Sequence, residues 1–372
     1  MELNSKLING LKKIGITEMT PIQKECIEPV LTGCNVIACS GTGTGKTFAY
    51  LLPVISANAD NNTLYAVIAV PSKELCIQIC SQINLISNNS GIPVTAAALF
   101  GGVNKSRQLQ TLKSHPNIAV GTYQRITELI KERKLPAHQV KTFVIDEADR
   151  LINKDNIDGI LALRKCFMRD IQIILVSASI TPATEKMASQ FSDKEFVKKF
   201  TSEKLQIPEN IRHIYFVAER RDKIETVRKA IKALNTAHCI IFANSVYDAD
   251  EITQKLQYHN YKVASLHGDC DKNKRRQIVD GFRNKSLDYI VCSDMAARGL
   301  DFKDVNSVIN IGLPQKPVDY LHRAGRCGRA GADGICASII TKEELHLIRS
   351  YQKAFGINIL PKAMYQGKIV RK

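Results

Sequence analysis

Ser40-Gly-Thr-Gly-Thr-Gly-Lys-Thr47 follows the apolar run Asn35–Cys39 and opens a helical pattern at Phe48. Strand, glycine-rich turn and helix, in that order, make a phosphate-binding loop. Its glycines let backbone N–H groups turn toward phosphate oxygens, and the helix N-terminus adds a favourable dipole. Gly41, Thr42, Gly43, Thr44 and Gly45 supply the turn, Lys46 reaches toward the β- and γ-phosphates, and the Thr47 hydroxyl is placed for Mg2+. Ser40 stands where the strict pattern has glycine, and a small residue there is compatible with the turn. A plain glycine-rich surface loop gives no reason for Gly45-Lys46-Thr47 directly after a strand.

Outward from this loop, short β-branched runs alternate with longer helical patterns. The strands expected are Asn35–Cys39, Leu64–Val70, Ile118–Gly121, Thr142–Ile145 and Ile171–Val176, then Cys239–Ala243, Lys262–Leu266, Tyr289–Cys292, Ser307–Ile311 and Ile335–Ile340. Continuous apolar strands separated by helices predict an α/β protein with mainly parallel sheets covered by helices on both faces. Ligands of such sheets gather at the carboxyl ends of strands. With 372 residues the chain exceeds one ordinary core, so two domains are expected: 1–203 and 210–372, joined by a linker at 204–209 that contains Pro208. After Gly356 only a short basic tail is expected.

Asp146-Glu-Ala-Asp149 directly follows the run Thr142–Ile145, a hundred residues beyond Lys46. Asp146 is placed to hold Mg2+, usually through water, and Glu147 to orient and deprotonate an attacking water. Together with the phosphate loop this reads as ATP hydrolysis. No Asn-Lys-x-Asp guanine-reading sequence occurs, which disfavours a GTPase.

Lys and Arg exceed Asp and Glu by 16, a surplus that favours a polyanionic partner. The eleven cysteines contain no CxxC pair and read as buried reduced thiols rather than a disulfide framework or zinc site. The polar, amphipathic start is not expected to act as a signal peptide, and no apolar run approaches spanning length. A cytoplasmic monomer without a membrane partner is expected.

These motifs, in this order and at this spacing, resemble the DEAD-box RNA helicases, and the resemblance covers nearly the whole chain. It implies two tandem RecA-like domains that bind ATP, Mg2+ and RNA. By that resemblance Gln23, in Thr20-Pro-Ile-Gln23, reads the adenine edge, although Ile16 stands where the family commonly has an aromatic. The stacking aromatic further upstream would lie before Met1. Pro71, Ser72 and Lys73 match the first RNA-contact loop, usually Pro-Thr-Arg-Glu-Leu. Gly101 and Gly102 match the double-glycine loop. Thr122 and Arg125 retain the ends of a Thr-Pro-Gly-Arg element whose middle is Tyr123-Gln124 here. Ser177 and Ser179 match the Ser-Ala-Thr element that couples hydrolysis to strand separation.

In the second half Phe242 ends a strand as in the family's motif. Lys272, where glutamine is usual, and Arg275 follow His267-Gly-Asp269 as RNA contacts. Ser293 and Asp294 would face RNA, and Asp301 the ATP ribose. In His322-Arg-Ala-Gly-Arg-Cys-Gly-Arg329, His322 and Arg323 belong to coupling, whereas Arg326 and Arg329 act as arginine fingers on the γ-phosphate. Each half would thus hold part of one ATP site, so hydrolysis would require closure on RNA, with local opening of short duplexes. Similarity to short bacterial members implies ribosomal or mRNA-decay ribonucleoproteins as settings. Two other readings stay open: an ATP-gated RNA clamp without unwinding, and a DNA translocase of the wider superfamily.

Overall fold

The computed structural model describes residues 2–41, 44–180, 182–200, 210–267, 270–297, 302, 304–328 and 332–371. Among the phosphate-loop, ribose and finger assignments, Thr42, Gly43, Asp301 and Arg329 lie outside the described residues, as do the linker 204–209 and Gly268-Asp269. The backbone of Lys272 starts a helix, Lys272–Arg283.

The chain divides into two compact units, Met1–Glu203 and Lys204–Lys372. In the first, β1 (Asn35–Cys39), β2 (Ala66–Ala69), β3 (Ala96–Leu99), β4 (Ile118–Gly121), β5 (Thr142–Asp146), β6 (Gln172–Ser177) and β7 (Phe196–Phe200) form one sheet in the order β3-β4-β2-β5-β6-β1-β7. Every pairing in it is parallel. Successive strand side chains face opposite ways, and here both faces are apolar. Val36, Ala38, Ile68 and Val144 enter one core under the helices Pro21–Leu31, Lys46–Ala57 and Lys73–Ser90. Ile37, Val67, Phe143 and Ile145 enter the other, under Tyr123–Lys131 and Ile157–Arg164.

The second unit holds β8 (Ile211–Val217), β9 (Cys239–Ala243), β10 (Val263–Leu266), β11 (Tyr289–Cys292), β12 (Ser307–Ile311), β13 (Gly334–Ile340), β14 (Ile359–Tyr365) and β15 (Lys368–Arg371). Their order is β10-β11-β9-β12-β13-β8-β14-β15. All pairings are parallel except β14 with β15. The expected tail is therefore corrected: after Gly356 the chain extends the sheet by a hairpin. Gln366 and Gly367 both take positive φ, 48° and 74°, which matches the twist of a two-residue hairpin turn. Met364 and Ile369 then pack on the helix-covered core.

Five strands were not expected from the sequence: β3, β7, β8 and the two of the hairpin. All eleven cysteines are free thiols, and burial pushes Cys26, Cys239 and Cys292 up to about 12. Among the described residues no helix is long and apolar enough to cross a membrane.

Candidate active site

In the first unit, strand order sorts the chemistry. The phosphate loop follows β1, Asp146 ends β5, and Ser177 ends β6; these three strands are neighbours. Pro71–Lys73 follow β2, Gly101-Gly102 follow β3, and Thr122 follows β4, the remaining neighbouring trio. One sheet edge thus presents two adjoining groups of loops.

Gly45 shapes the phosphate loop. It has φ +87° and serves as N-cap of the helix Lys46–Ala57, a conformation only glycine adopts without strain. A Cβ there would lie 2.4 Å from Gln23 Nε2. The Gln23 side chain is nearly enclosed: its Oε1 accepts from Thr20 N at 2.9 Å and its Nε2 donates to Gly45 O at 3.1 Å. Ser40 Oγ donates to Thr44 Oγ1 at 2.8 Å, and Thr44 Oγ1 to Gly41 O at 2.8 Å. Lys46 Nζ folds back onto the Ser40 and Gly41 carbonyls, at 2.7 and 2.5 Å. Burial lowers its proton affinity while Asp146 opposes that shift.

Asp146 is buried at the end of β5, and desolvation, reinforced by Glu147, pushes its carboxyl up to about 6. Its Oδ1 accepts from Glu147 N at 2.8 Å, and its Oδ2 from the Tyr50 hydroxyl at 2.9 Å. Glu147 takes left-handed backbone, φ 51° and ψ 50°, which costs a residue with a Cβ about 1–2 kcal/mol. The turn brings its carboxylate 3.4 Å from Arg150. Ser177 Oγ donates to Asp149 Oδ1 at 2.5 Å and accepts from Asp149 N and Ser179 N at 3.3 and 3.2 Å. β6 is thereby tied to the carboxylate loop through one hydroxyl.

In the other loop group, Ser72 caps the helix Lys73–Ser90 by accepting from Leu75 N at 3.2 Å. Lys73 lies 5.8 Å over the Phe100 ring. Gln108 donates to Phe100 O at 2.8 Å, holding the residue before Gly101. Gly101 and Gly102 are exposed. Arg125 pairs with Glu128 at 3.1 Å. Tyr123, a departure from the family's element, packs against Gly159 and donates to Asn156 Oδ1 at 3.2 Å.

In the second unit Arg323, 2% exposed, collects strand ends. It grips both oxygens of Asp294, at 2.5 and 2.6 Å, and donates to Asn310 Oδ1, Gly312 O and Asn244 Oδ1. Its guanidinium also lies 5.1 Å over Phe242. The loops after β9, β11 and β12 share this one cation, and Asp294 is engaged by it. Arg275 donates to Ala296 O at 3.0 Å, beside half-buried Ser293. His322 and Arg326 are half-buried at and just after the helix Pro317–Ala324.

Sequence reasoning missed Tyr50, Arg150, Asn244 and Asn310. Two carried a signal. Asn310 is a polar residue inside an apolar strand, and Arg150 follows Glu147 at helical spacing.

The loop, the carboxylates and the parallel sheets define a phosphate-loop nucleotide enzyme on two RecA-like domains. Residues 20–187 match the DEAD/DEAH box helicase family and residues 222–331 the helicase conserved C-terminal domain. A DEAD-box ATP-dependent RNA helicase of Bacillus cereus, CshC, is 36% identical over 361 residues, covering 96% of this chain and 91% of that protein. The probable ATP-dependent RNA helicase YfmL of Bacillus subtilis is 34% identical, covering 95% and 93%. The structure of Mss116p bound to single-stranded RNA and AMP-PNP has a TM-score of 0.88 and 28% identity, covering 98% of this chain and 78% of that one. The chain belongs to the DEAD-box family of ATP-dependent RNA helicases.

Proposed function

We propose that this protein hydrolyses ATP in response to single-stranded RNA and opens short RNA duplexes locally. The observation that carries the reading is the adjacency of two loop groups on the first sheet, those after β1, β5 and β6, which we assign to nucleotide, and those after β2, β3 and β4, which we assign to RNA. Lys46 binds the β- and γ-phosphates once its ammonium leaves the Ser40 and Gly41 carbonyls. Gln23 reads the adenine edge and steadies Gly45. Glu147, turned out by its left-handed backbone, orients and deprotonates the attacking water. Arg326 and Arg329 of the second unit stabilise charge on the transferring group, so neither unit suffices for turnover.

Mg2+ fits the oxygen donors at hand. Thr47 offers a hydroxyl, and each Asp146 oxygen accepts a single bond given by the protein, leaving lone pairs for a hydrated ion. When bound, the ion neutralises charge on the phosphate oxygens. Pro71, Ser72, Lys73, Gly101, Gly102, Thr122 and Arg125 of one unit, with Lys272, Arg275 and Ser293 of the other, hold sugar and phosphate with little base information. We assign the protein to the cytoplasm, acting as a monomer on ribosomal or mRNA-decay particles, by analogy with short bacterial members.

The test is strand displacement against duplex length at saturating ATP, alongside ATPase assays with matched RNA and DNA oligomers. Taking each RNA stacking step as similar to the DNA value of about 1.4 kcal/mol, each step is worth roughly tenfold in equilibrium. Local opening thus predicts a collapse of displacement between about one and two helical turns. Length-independent unwinding, or equal stimulation by DNA, would overturn the reading.

A further inference from the structure

The Asp146 carboxylate meets a side chain that the motifs leave out. Tyr50 lies in the helix Lys46–Ala57, three residues after Thr47 and four after Lys46, so it shares their helix face. Its ring is 1% exposed and sits in the core between that helix and the sheet. Its hydroxyl donates to Asp146 Oδ2 at 2.9 Å. Phenylalanine would fill the same space, so packing gives no account of the hydroxyl. What the hydroxyl does is tie the helix that opens at Lys46 to the carboxylate assigned to the metal at a strand end.

The opposite oxygen, Oδ1, accepts from the Glu147 N–H. One donor on each oxygen, from different elements, fixes the plane of the carboxylate. An ionised carboxylate has about four lone-pair directions, so one stays available on each oxygen. Mg2+ demands near-ideal octahedral geometry, and losing a group that orients a ligand typically costs about 10–100-fold in metal affinity. We propose that Tyr50 is a positioning residue that holds Asp146 in place for the Mg2+ of the bound nucleotide. The proposal rests on the nucleotide-site reading above.

The experiment uses the full chain and measures the Kd of N-methylanthraniloyl-ADP in EDTA and across an MgCl2 titration. Tyr50→Phe is compared with Tyr65→Phe, a buried tyrosine of the same unit. Tyr50→Phe should raise the Mg2+ midpoint by ~10-fold, the lower end for losing an orienting partner, and leave the Kd in EDTA unchanged. Tyr65→Phe should leave both unchanged. In an Asp146→Asn background, Tyr50→Phe should add no further loss. An unshifted midpoint in Tyr50→Phe would overturn the proposal alone. So would an equal loss with and without Mg2+, or unfolding of Tyr50→Phe while Asp146→Asn stays folded, since each assigns the hydroxyl to packing. Absence of any Mg2+ gain in the parent chain would overturn the nucleotide-site reading, and this inference with it.

Discussion

Replacing Arg323 by methionine tests whether one buried cation holds the strand ends of the second unit together. The substitution roughly keeps the side-chain volume and removes the two-pronged bond to Asp294 along with the donors to Asn310, Gly312 and Asn244. Breaking a buried ion pair costs about 3–5 kcal/mol, largely because a charge is stranded. The Asp294 side chain is 33% exposed, so water recovers part of that loss, and the lower end, about 3 kcal/mol, is expected. For a unit of this size each kcal/mol moves the midpoint by about 2–4 °C, which gives a drop of roughly 6–12 °C. Calorimetry should show that drop in one transition while the transition of the first unit stays in place. Arg323→Lys keeps charge but loses the fork and should recover part of the midpoint. RNA-stimulated turnover should fall with both. A midpoint shift below about 2 °C would correspond to less than 1 kcal/mol and refute the idea that Arg323 latches these loops.

Glu147→Gln should abolish turnover and leave ATP and RNA binding intact, because it removes the base and keeps Asp146; binding loss as severe as in Lys46→Ala would contradict that role. Gly159→Ala places a Cβ 2.3 Å from the Tyr123 ring and should destabilise the first unit by about 1–3 kcal/mol. Tyr123→Ala should relieve part of that penalty in the double variant, and simple additivity in denaturant melts would argue against the contact. His213 is buried against Tyr320, and burial lowers its pKa to about 4. Its unfolded counterpart takes up a proton below about 6.5, so the unfolded state binds more protons between those values and stability falls as pH drops through that window, by roughly 3 kcal/mol in full. His213→Gln should flatten this slope, and a parent-like slope in the variant would place the titration elsewhere.

The legible strands were those whose apolar runs ended in turn or motif residues: β1, β4, β9, β11 and β12 have the bounds that their β-branched runs predict. β3 hides because Ala96-Ala-Ala-Leu99 contains no β-branched residue and alanine favours helix. β7, Phe196-Val-Lys-Lys-Phe200, is a half-buried edge strand with two lysines. β8 interrupts its apolar residues with Arg212 and His213. The hairpin reads as a charged tail until Gln366-Gly367 is seen to turn it back. Motif spacing made the phosphate loop and carboxylates legible. The supporting groups were not, because their meaning depends on neighbours far along the chain. Tyr50 reads as one more core aromatic until Asp146, 96 residues away, is placed beside it.

The sheet that sorts the loops also constrains how they communicate. β2 and β5 are the neighbours where the two groups meet, and their register, Ala66 with Thr142 through Ala69 with Ile145, is buried on both faces. Such a close-packed seam resists continuous deformation, so a ligand at one group cannot readily bend the sheet to reach the other. Among the described residues, side-chain bonds in the loops themselves offer other paths. Ser177 joins β6 to Asp149, Arg150 joins the same short turn to Glu147, and the Asp146 backbone continues directly into that residue. All three converge on the tetrapeptide that carries the proposed base. In the proposed function, Arg326 is assigned to ATP and Arg275 to RNA, so the second unit would add a further route for coupling the two ligands. Linkage then requires RNA to strengthen ATP binding by the same factor that ATP strengthens RNA binding.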